Sequence, residues 1–280
     1  MSQSANPLKS YFRQPVLYIR LPSGGQFWPA GSLDMPPNQE LGVLPMTAMD
    51  EISFRTPDAL FNGDAIIKVI QSCVPAIKDA WQTPGMDLNT ILTAIRIASN
   101  GNTLDVNTKC PECSTENSYD INLRSVIDQI QPGDFSKSIK AGDIEIFFRP
   151  MSYHHQNEIN LLQFEQQRIL AYLPGADITE EERNAKLNQV LEEITKVTLK
   201  AVKYSIGAVK TPETLVTDSE HIEEFLNNCG ATLFNQIKEH AVELRTADDL
   251  KPIKLKCPEC GYDYEQPFVL DTALFFGNAS

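Results

Sequence analysis

The sequence lacks any apolar run long enough to cross a membrane, and it lacks a secretory signal pattern at its start. A membrane-spanning helix needs about 20 consecutive apolar residues, and no stretch of the 280 residues approaches that length. No charged segment followed by an apolar one opens the chain. We therefore expect a soluble globular protein that stays where it is translated, and its 42% hydrophobic content suffices for a substantial core.

Positive charge is also scarce. Lysine and arginine number 24 against 37 acidic residues, which gives a net charge of −13 and a pI of about 4.8. Such a balance disfavours non-specific attraction to nucleic-acid phosphates or anionic lipid. The composition favours protein partners, makes nucleic acid an unlikely partner and gives no reason to expect a membrane.

Recognisable catalytic motifs are absent as well. The chain contains no Gly-x-Ser-x-Gly, His-Glu-x-x-His, Walker or dinucleotide-binding pattern. On a helix the adjacent His154 and His155 would point about 100° apart, so they cannot share one metal as an i, i+4 pair does. Acidic runs such as Glu180–Glu182 are typical of helix starts and solvated faces. No set of nucleophile, base and electrophile emerges, and we predict that the protein is not an enzyme.

The chain has only six cysteines, and four of them lie in two identical Lys-Cys-Pro-Glu-Cys stretches, at 109–113 and 256–260. A tetrahedral structural zinc takes four thiolates, and each Cys-x-x-Cys turn supplies two. We therefore predict one structural Zn²⁺ with these ligands: Cys110, Cys113, Cys257 and Cys260. The other two, Cys73 and Cys229, lie in apolar helical patterns typical of small buried side chains.

Each stretch follows a strand-like run and precedes alternating residues, which is the pattern of half a zinc ribbon. Three alternatives remain open. The motifs could be redox-active, although thioredoxin-type motifs open a helix. They could form disulfides, for which no secretory signal provides support. They could also form two separate metal sites.

A shared ion makes the long segment between the two stretches an insertion whose ends lie close together. By the usual loop-length relation, a clip across so long a loop removes about 4 to 5 kcal/mol of chain entropy from the unfolded state. The predicted fold class is α+β: predominantly helical, with short strands and a split zinc ribbon that closes a helical insert.

We divide the chain into four regions by composition and pattern. The first is a flexible N-terminal arm at 1–15, and the second is an α/β region at 16–125 that ends in the first zinc knuckle. A helical insert with one entering strand follows at 126–250, and the second knuckle with a C-terminal tail occupies 251–280. Apolar periodicity and capping residues predict these helices: one from Thr47, one after Thr56-Pro57, and others at 87–98, 153–172, 179–206 and 219–244.

Several motifs, in this order, resemble the T4-type phage baseplate hub proteins. They are LPMTAMDE at 44–51, TPDALFNG at 56–63, IQSCVP at 70–75, and the segment from Asp87-Leu88 to Ile97-Ala98 before the first Cys-Pro-x-Cys. The resemblance covers mainly the first 125 residues. It implies a structural component or assembly factor of the contractile-tail baseplate hub, located in the virion and, during assembly, in the host cytoplasm. It implies no catalytic residues.

Two function classes result. In the first, a zinc-stabilised module binds other hub or tail proteins, either as a permanent virion part or as a transient assembly chaperone absent from the virion. In the second, the zinc ribbon binds nucleic acid or supports an enzyme, which requires a basic or aromatic face near the knuckles. Three lysines lie near the knuckles: Lys109, Lys254 and Lys256. They are outnumbered by nearby acidic residues, which include Glu112, Asp120, Glu259, Asp263 and Glu265.

Overall fold

The computed structural model describes residues 6–54, 63–175 and 178–268, and it has an α+β fold dominated by helices. The α-helices are α1 (Ala48–Phe54), α2 (Asp64–Cys73), α3 (Gly85–Asn100), α4 (Leu123–Asp128), α5 (Tyr153–Tyr172), α6 (Glu180–Ser205), α7 (Ser219–Asn228) and α8 (Ala231–Ala247). The strands are β1 (Leu17–Ile19), β2 (Leu41–Val43), β3 (Thr103–Lys109), β4 (Glu116–Asn122), β5 (Ile139–Ala141), β6 (Ile144–Phe148), β7 (Ile206–Lys210), β8 (Leu215–Val216), β9 (Ile253–Lys256) and β10 (Asp263–Gln266). The helix predicted to begin at Thr56-Pro57 starts outside the described residues.

The strands form small antiparallel sheets. Three of these sheets are two-stranded pairs, β1 with β2, β3 with β4, and β9 with β10. The fourth has the order β5-β6-β7-β8 and lies wholly between the two cysteine stretches. Within the described residues, no helix is both long enough and apolar enough to cross a membrane.

Helix α3 forms the centre of the first core. It begins after Pro84 and ends at Gly101, whose φ of +88° suits glycine. Between these ends the helix buries the apolar residues Ile91 and Ile95 completely. Strands β1 and β2 and helix α2 pack with α3 in this core, so the region before the first knuckle is a well-packed platform for the ribbon.

A buried carboxylate fixes the Gly-Gly loop that follows β1. Asp87 on α3 accepts hydrogen bonds from the backbone N–H of Ser23 (2.8 Å), the Ser23 hydroxyl (2.6 Å) and the Trp28 indole (2.8 Å). Burial raises the pKa of Asp87 despite these bonds. The turn favours glycine at Gly25 because the φ of +86° there is a left-handed conformation that side chains rarely adopt. The loop therefore has a structural role.

The insert has its own core and more strands than expected. Where one entering strand is predicted, the structure has the four-stranded sheet, whose buried face packs against the end of α6 and against α7 and α8. Strand β7 begins at Ile206, directly after α6 ends. Residues 206–210 pair with β6 and do not extend the helix. Local sequence does not reveal this because strand formation depends on the neighbouring strand.

The helix predicted over 219–244 is two helices. Cys229 and Gly230 adopt extended backbone angles, with ψ of 154° and 145°, and they separate α7 from α8. Glycine weakens a helix interior by about 1 kcal/mol relative to alanine, which favours the break at this position. The predicted span of α5 is confirmed at both ends, and Thr179 and Glu182 form a capping box at the start of α6.

The apolar periodicity of α6 is only partly buried. Val190 and Val197 lie in the interior at 2% and 5% exposure, whereas Leu191 is 52% exposed. Leu187 and Ile194, on the same flank as Leu191, are 38% exposed. The apolar residues in the first half of α6 therefore form two sets, one buried and one exposed.

The Arg13 side chain attaches the described part of the N-terminal arm to the first core. A short 3₁₀ helix, Pro7–Tyr11, leaves Tyr11 largely exposed. Arg13 then donates hydrogen bonds to the backbone oxygens of Pro45 (2.5 Å) and Ser72 (2.8 Å), and it lies 3.4 Å from Asp50. The proposed region boundaries, including a flexible arm at 1–15, stay predictions.

Candidate metal centre

Both cysteine stretches are tight turns that join two antiparallel strands. The first connects β3 to β4, and the second connects β9 to β10. A strand, not a helix, follows each turn, which argues against the redox interpretation because thioredoxin-type motifs open helices. The local fold at each stretch matches the predicted ribbon half.

The two turns share the same backbone hydrogen bonds. In the first, the N–H of Cys110 donates to Thr115 O and the N–H of Ser114 donates to Cys110 O, both at 2.9 Å. In the second, Cys257 and Gly261 donate equivalent bonds, also at 2.9 Å, to Tyr262 O and Cys257 O. These bonds aim both cysteine side chains of each turn to the same side.

The four predicted ligands converge, although they come from opposite ends of a long insertion. All four sulfurs lie within 4.8 Å of one another. The Sγ atoms of Cys110 and Cys260 are 3.8 Å apart, and those of Cys113 and Cys257 are 3.6 Å apart. A tetrahedral zinc with Zn–S bonds of about 2.3 Å places its sulfurs about 3.8 Å from one another. The donor set and its spacing therefore fit a four-coordinate metal ion.

These sulfur distances also bear on the remaining alternatives. A disulfide has an S–S length of about 2.05 Å, so the pairs at 3.6 and 3.8 Å are free thiols. Because the sulfurs form one group, the arrangement corresponds to one shared site and not to two. Cys73 and Cys229 are outside this group; Cys73 is fully buried, and burial raises the pKa of its thiol to about 12.

The pKa values of Cys113, Cys257 and Cys260 are shifted in different directions. Hydrogen bonds with Thr115 lower the pKa of Cys113 to about 6, and backbone hydrogen bonds from Cys260 and Glu259 lower the pKa of Cys257. The N–H of Tyr262 lowers the pKa of Cys260, but desolvation and the neighbouring thiols raise it to about 12. Four thiolates at this spacing repel one another, and a bound divalent cation would compensate their charge.

Side chains outside the motifs join the two ribbon halves. The Asn117 amide, buried at the start of β4, donates to the Cys257 sulfur at 3.6 Å. Tyr119 OH donates to Lys256 O at 3.1 Å and accepts from Tyr264 OH at 3.2 Å. Sequence reasoning missed Asn117, and the only signal was its position seven residues after Cys110, in the strand that follows the turn.

In this α+β protein, four cysteines from two distant turns come together, which is the donor set of a structural metal site. The model of the family described as T4 bacteriophage base plate protein matches residues 39–276, most of the chain. The chain belongs to this family. No curated protein and no solved structure gives a significant match.

Family membership confirms the resemblance noted in the sequence and extends it well beyond the first 125 residues. A baseplate family suggests a non-enzymatic role, a place in the virion and contacts with other phage baseplate proteins. The four clustered cysteines add that the chain could bind a metal ion.

Proposed function

We propose that the protein is a structural or assembly component of the baseplate hub of a contractile-tailed phage, built as a zinc-stabilised module for protein–protein interaction. One structural Zn²⁺ bound by Cys110, Cys113, Cys257 and Cys260 holds the ends of the insert together. The observation that carries this proposal is the convergence of those four sulfurs within 4.8 Å in a member of a baseplate family.

The zinc would have a structural role. All four positions of a tetrahedral ion are filled by protein thiolates, so no position remains for water or substrate, in contrast to catalytic zinc sites. Bound metal would fix the orientation of the two ribbon hairpins and so the surface of the insert between them. Elemental analysis of the purified chain should give one zinc per chain, and a value near zero would contradict this part of the proposal.

The hub assignment has its own test. A tagged copy of the chain, expressed in cells infected with the phage that encodes it, should co-purify with other baseplate hub or tail proteins. Mass spectrometry of purified particles then separates the two forms of the proposal. A permanent virion part is present in mature particles, whereas an assembly chaperone is found only in the infected-cell complex.

The charge of the ribbon argues against the nucleic-acid alternative. Its strands and turns, residues 103–122 and 253–266, contain seven acidic residues against three lysines and no arginine. Binding to phosphates depends on basic side chains. In a filter-binding assay at low salt, single-stranded and duplex DNA should both bind weakly, and tight binding of either would overturn the interaction-module proposal.

A further inference from the structure

The distal halves of α5 and α6 form a helical hairpin with little interior of its own. Among the described residues between 160 and 195, only Gln166, Leu173 and Val190 are buried, and none of that segment belongs to either hydrophobic core. Two helices that bury so few side chains gain little stability from packing. The hairpin therefore has apolar surface suited to further helices.

One side of this hairpin is a groove of about 680 Å³ with an apolar floor and a charged rim. The floor contains Leu162, Ile169 and Val190. On the α5 wall, Glu165 lies nearer the body of the protein and Arg168 nearer the tip of the hairpin. On the α6 wall, which runs in the opposite direction, the order is the same: Glu193 is nearer the body and Lys186 nearer the tip. Both walls are thus negative toward the body and positive toward the tip.

A twofold axis perpendicular to the helices places a second hairpin against the first in the opposite direction. The negative end of each wall then faces the positive end of the same wall in the other copy. The midpoint between Glu165 and Arg168 lies next to Gln166, and the midpoint between Lys186 and Glu193 lies next to Val190. Gln166 lies six residues before α5 ends at Tyr172, and Val190 lies ten residues after α6 begins at Glu180, so the two midpoints differ in height by about 6 Å at 1.5 Å per residue when counted from these ends. A single axis placed between the two midpoints can therefore bring both pairs within reach of their long side chains.

We infer that the groove is a homodimerisation surface, on which a second copy of the chain packs antiparallel to form a four-helix bundle. Each copy then places Glu165 against Arg168 of the other and Lys186 against Glu193 of the other, while the two apolar floors form the bundle core. Such an isologous interface requires every contact to occur twice, which the shared axis provides. Antiparallel packing also keeps the two bodies at opposite ends of the bundle.

The four charged residues of the groove are available for ion pairs with a second copy of the chain. Glu165, Arg168 and Lys186 take part in none of the ion pairs within 4.0 Å found among the described residues. Glu193 pairs with Lys196 of its own helix at 2.8 Å. That exposed i, i+3 pair contributes only a few tenths of a kcal/mol, and a carboxylate can accept from a second cation.

The test is a charge swap followed by sedimentation velocity over a concentration series of the full chain. The unmodified chain should dimerise. Arg168→Glu should raise the dimer dissociation constant by about tenfold or more, because two like-charge contacts form at once. The double variant Glu165→Arg with Arg168→Glu should restore dimerisation, since the swapped charges again meet opposite signs. Circular dichroism verifies that each variant is folded.

Two controls separate the groove from other surfaces. Glu192→Lys reverses a charge on α6 outside the groove, and Leu191→Lys places a charge on the exposed apolar flank; both should dimerise like the unmodified chain. The inference is overturned by a monomeric unmodified chain, by a dimer that Arg168→Glu leaves intact, or by a swap that fails to restore it. A dimer broken by Leu191→Lys alone would assign dimerisation to the outer flank instead.

Discussion

The two cysteine knuckles have the same five-residue sequence and the same backbone hydrogen bonds, but they are supported very differently. The first connects strands of seven residues each, whereas the second connects strands of only four. A short two-stranded hairpin is at best marginally stable in water. We therefore expect the first knuckle to be held largely by its own strands, and the second to depend more on the shared site and on side-chain bonds to the first half.

The largest effect is expected when one metal ligand is removed. Replacing one cysteine in each knuckle tests whether the two knuckles contribute equally to metal binding. Cys110→Ser and Cys257→Ser each remove one buried sulfur and should both abolish zinc binding. We expect each to destabilise the fold by on the order of 4 kcal/mol, because the clip across the insert is lost. Elemental analysis and denaturant unfolding measure the two effects.

The matched control for these variants is Cys229→Ser, which changes a partly buried cysteine outside the site. It should retain zinc. Wild-type zinc content in both Cys110→Ser and Cys257→Ser would refute the shared site.

Metal removal should next reveal the unequal support of the two hairpins. With a strong chelator, backbone amides in β9 and β10 should exchange hydrogen much faster, while those in β3 and β4, with seven cross-strand pairs, should be affected less. Hydrogen exchange followed by mass spectrometry resolves the two segments, because local openings differ along a chain. Equal loss of protection in both hairpins would show that the longer strands β3 and β4 do not make the first hairpin less dependent on the metal.

A smaller effect is expected where one knuckle supports the sulfur of the other. Asn117→Ala removes the amide donor 3.6 Å from the Cys257 sulfur. Loss of such an outer contact typically lowers metal affinity by about 10- to 100-fold, and we expect the lower end because the ligands themselves remain. Competition with a chromophoric chelator measures the affinity. Asn107→Ala, on the exposed face of β3, should leave it unchanged.

The smallest effect concerns the residue after each second cysteine. Ser114 and Gly261 occupy this position with φ of +61° and +75°, a region that disfavours side chains. Ser114→Gly should stabilise the protein by about 0.5 to 1 kcal/mol, and Gly261→Ser should destabilise it by a similar amount. Thermal unfolding of the metal-bound chain checks both. The two substitutions should change the free energy of unfolding with opposite signs. A Cβ at Gly261 would meet no atom within 4 Å, so the backbone conformation alone determines the effect there.

Much of the centre could be predicted from the sequence because its chemistry is written in the motif itself. Two Cys-x-x-Cys turns carry both the ligand type and the turn geometry, so the convergence of four sulfurs is confirmed. Asn117 has no such signature, since its role depends on which sulfur lies opposite it after folding. Whether zinc occupies the site stays a prediction.

The fold shows the same division between local and distant causes. Helix α5 has strong local signals, with Ser152 as its cap, and its span was predicted correctly at both ends. Strand β7 forms because β6 lies beside it. The local sequence after α6 does not reveal that neighbour. The exposed flank of α6 has a periodicity like that of a buried stripe, so only the packing of α5 and α6 distinguishes the two.

The long separation of the paired sulfurs has a consequence for synthesis. Cys257 follows Cys113 by 144 residues, so a ribosome releases the first pair of thiols before the second pair has been translated. A nascent chain that stalls before residue 260 carries an incomplete ligand set and cannot be closed. Metal capture by the full ligand set would then occur only in chains translated through the second turn, and copies truncated before it would lack two of the four thiols.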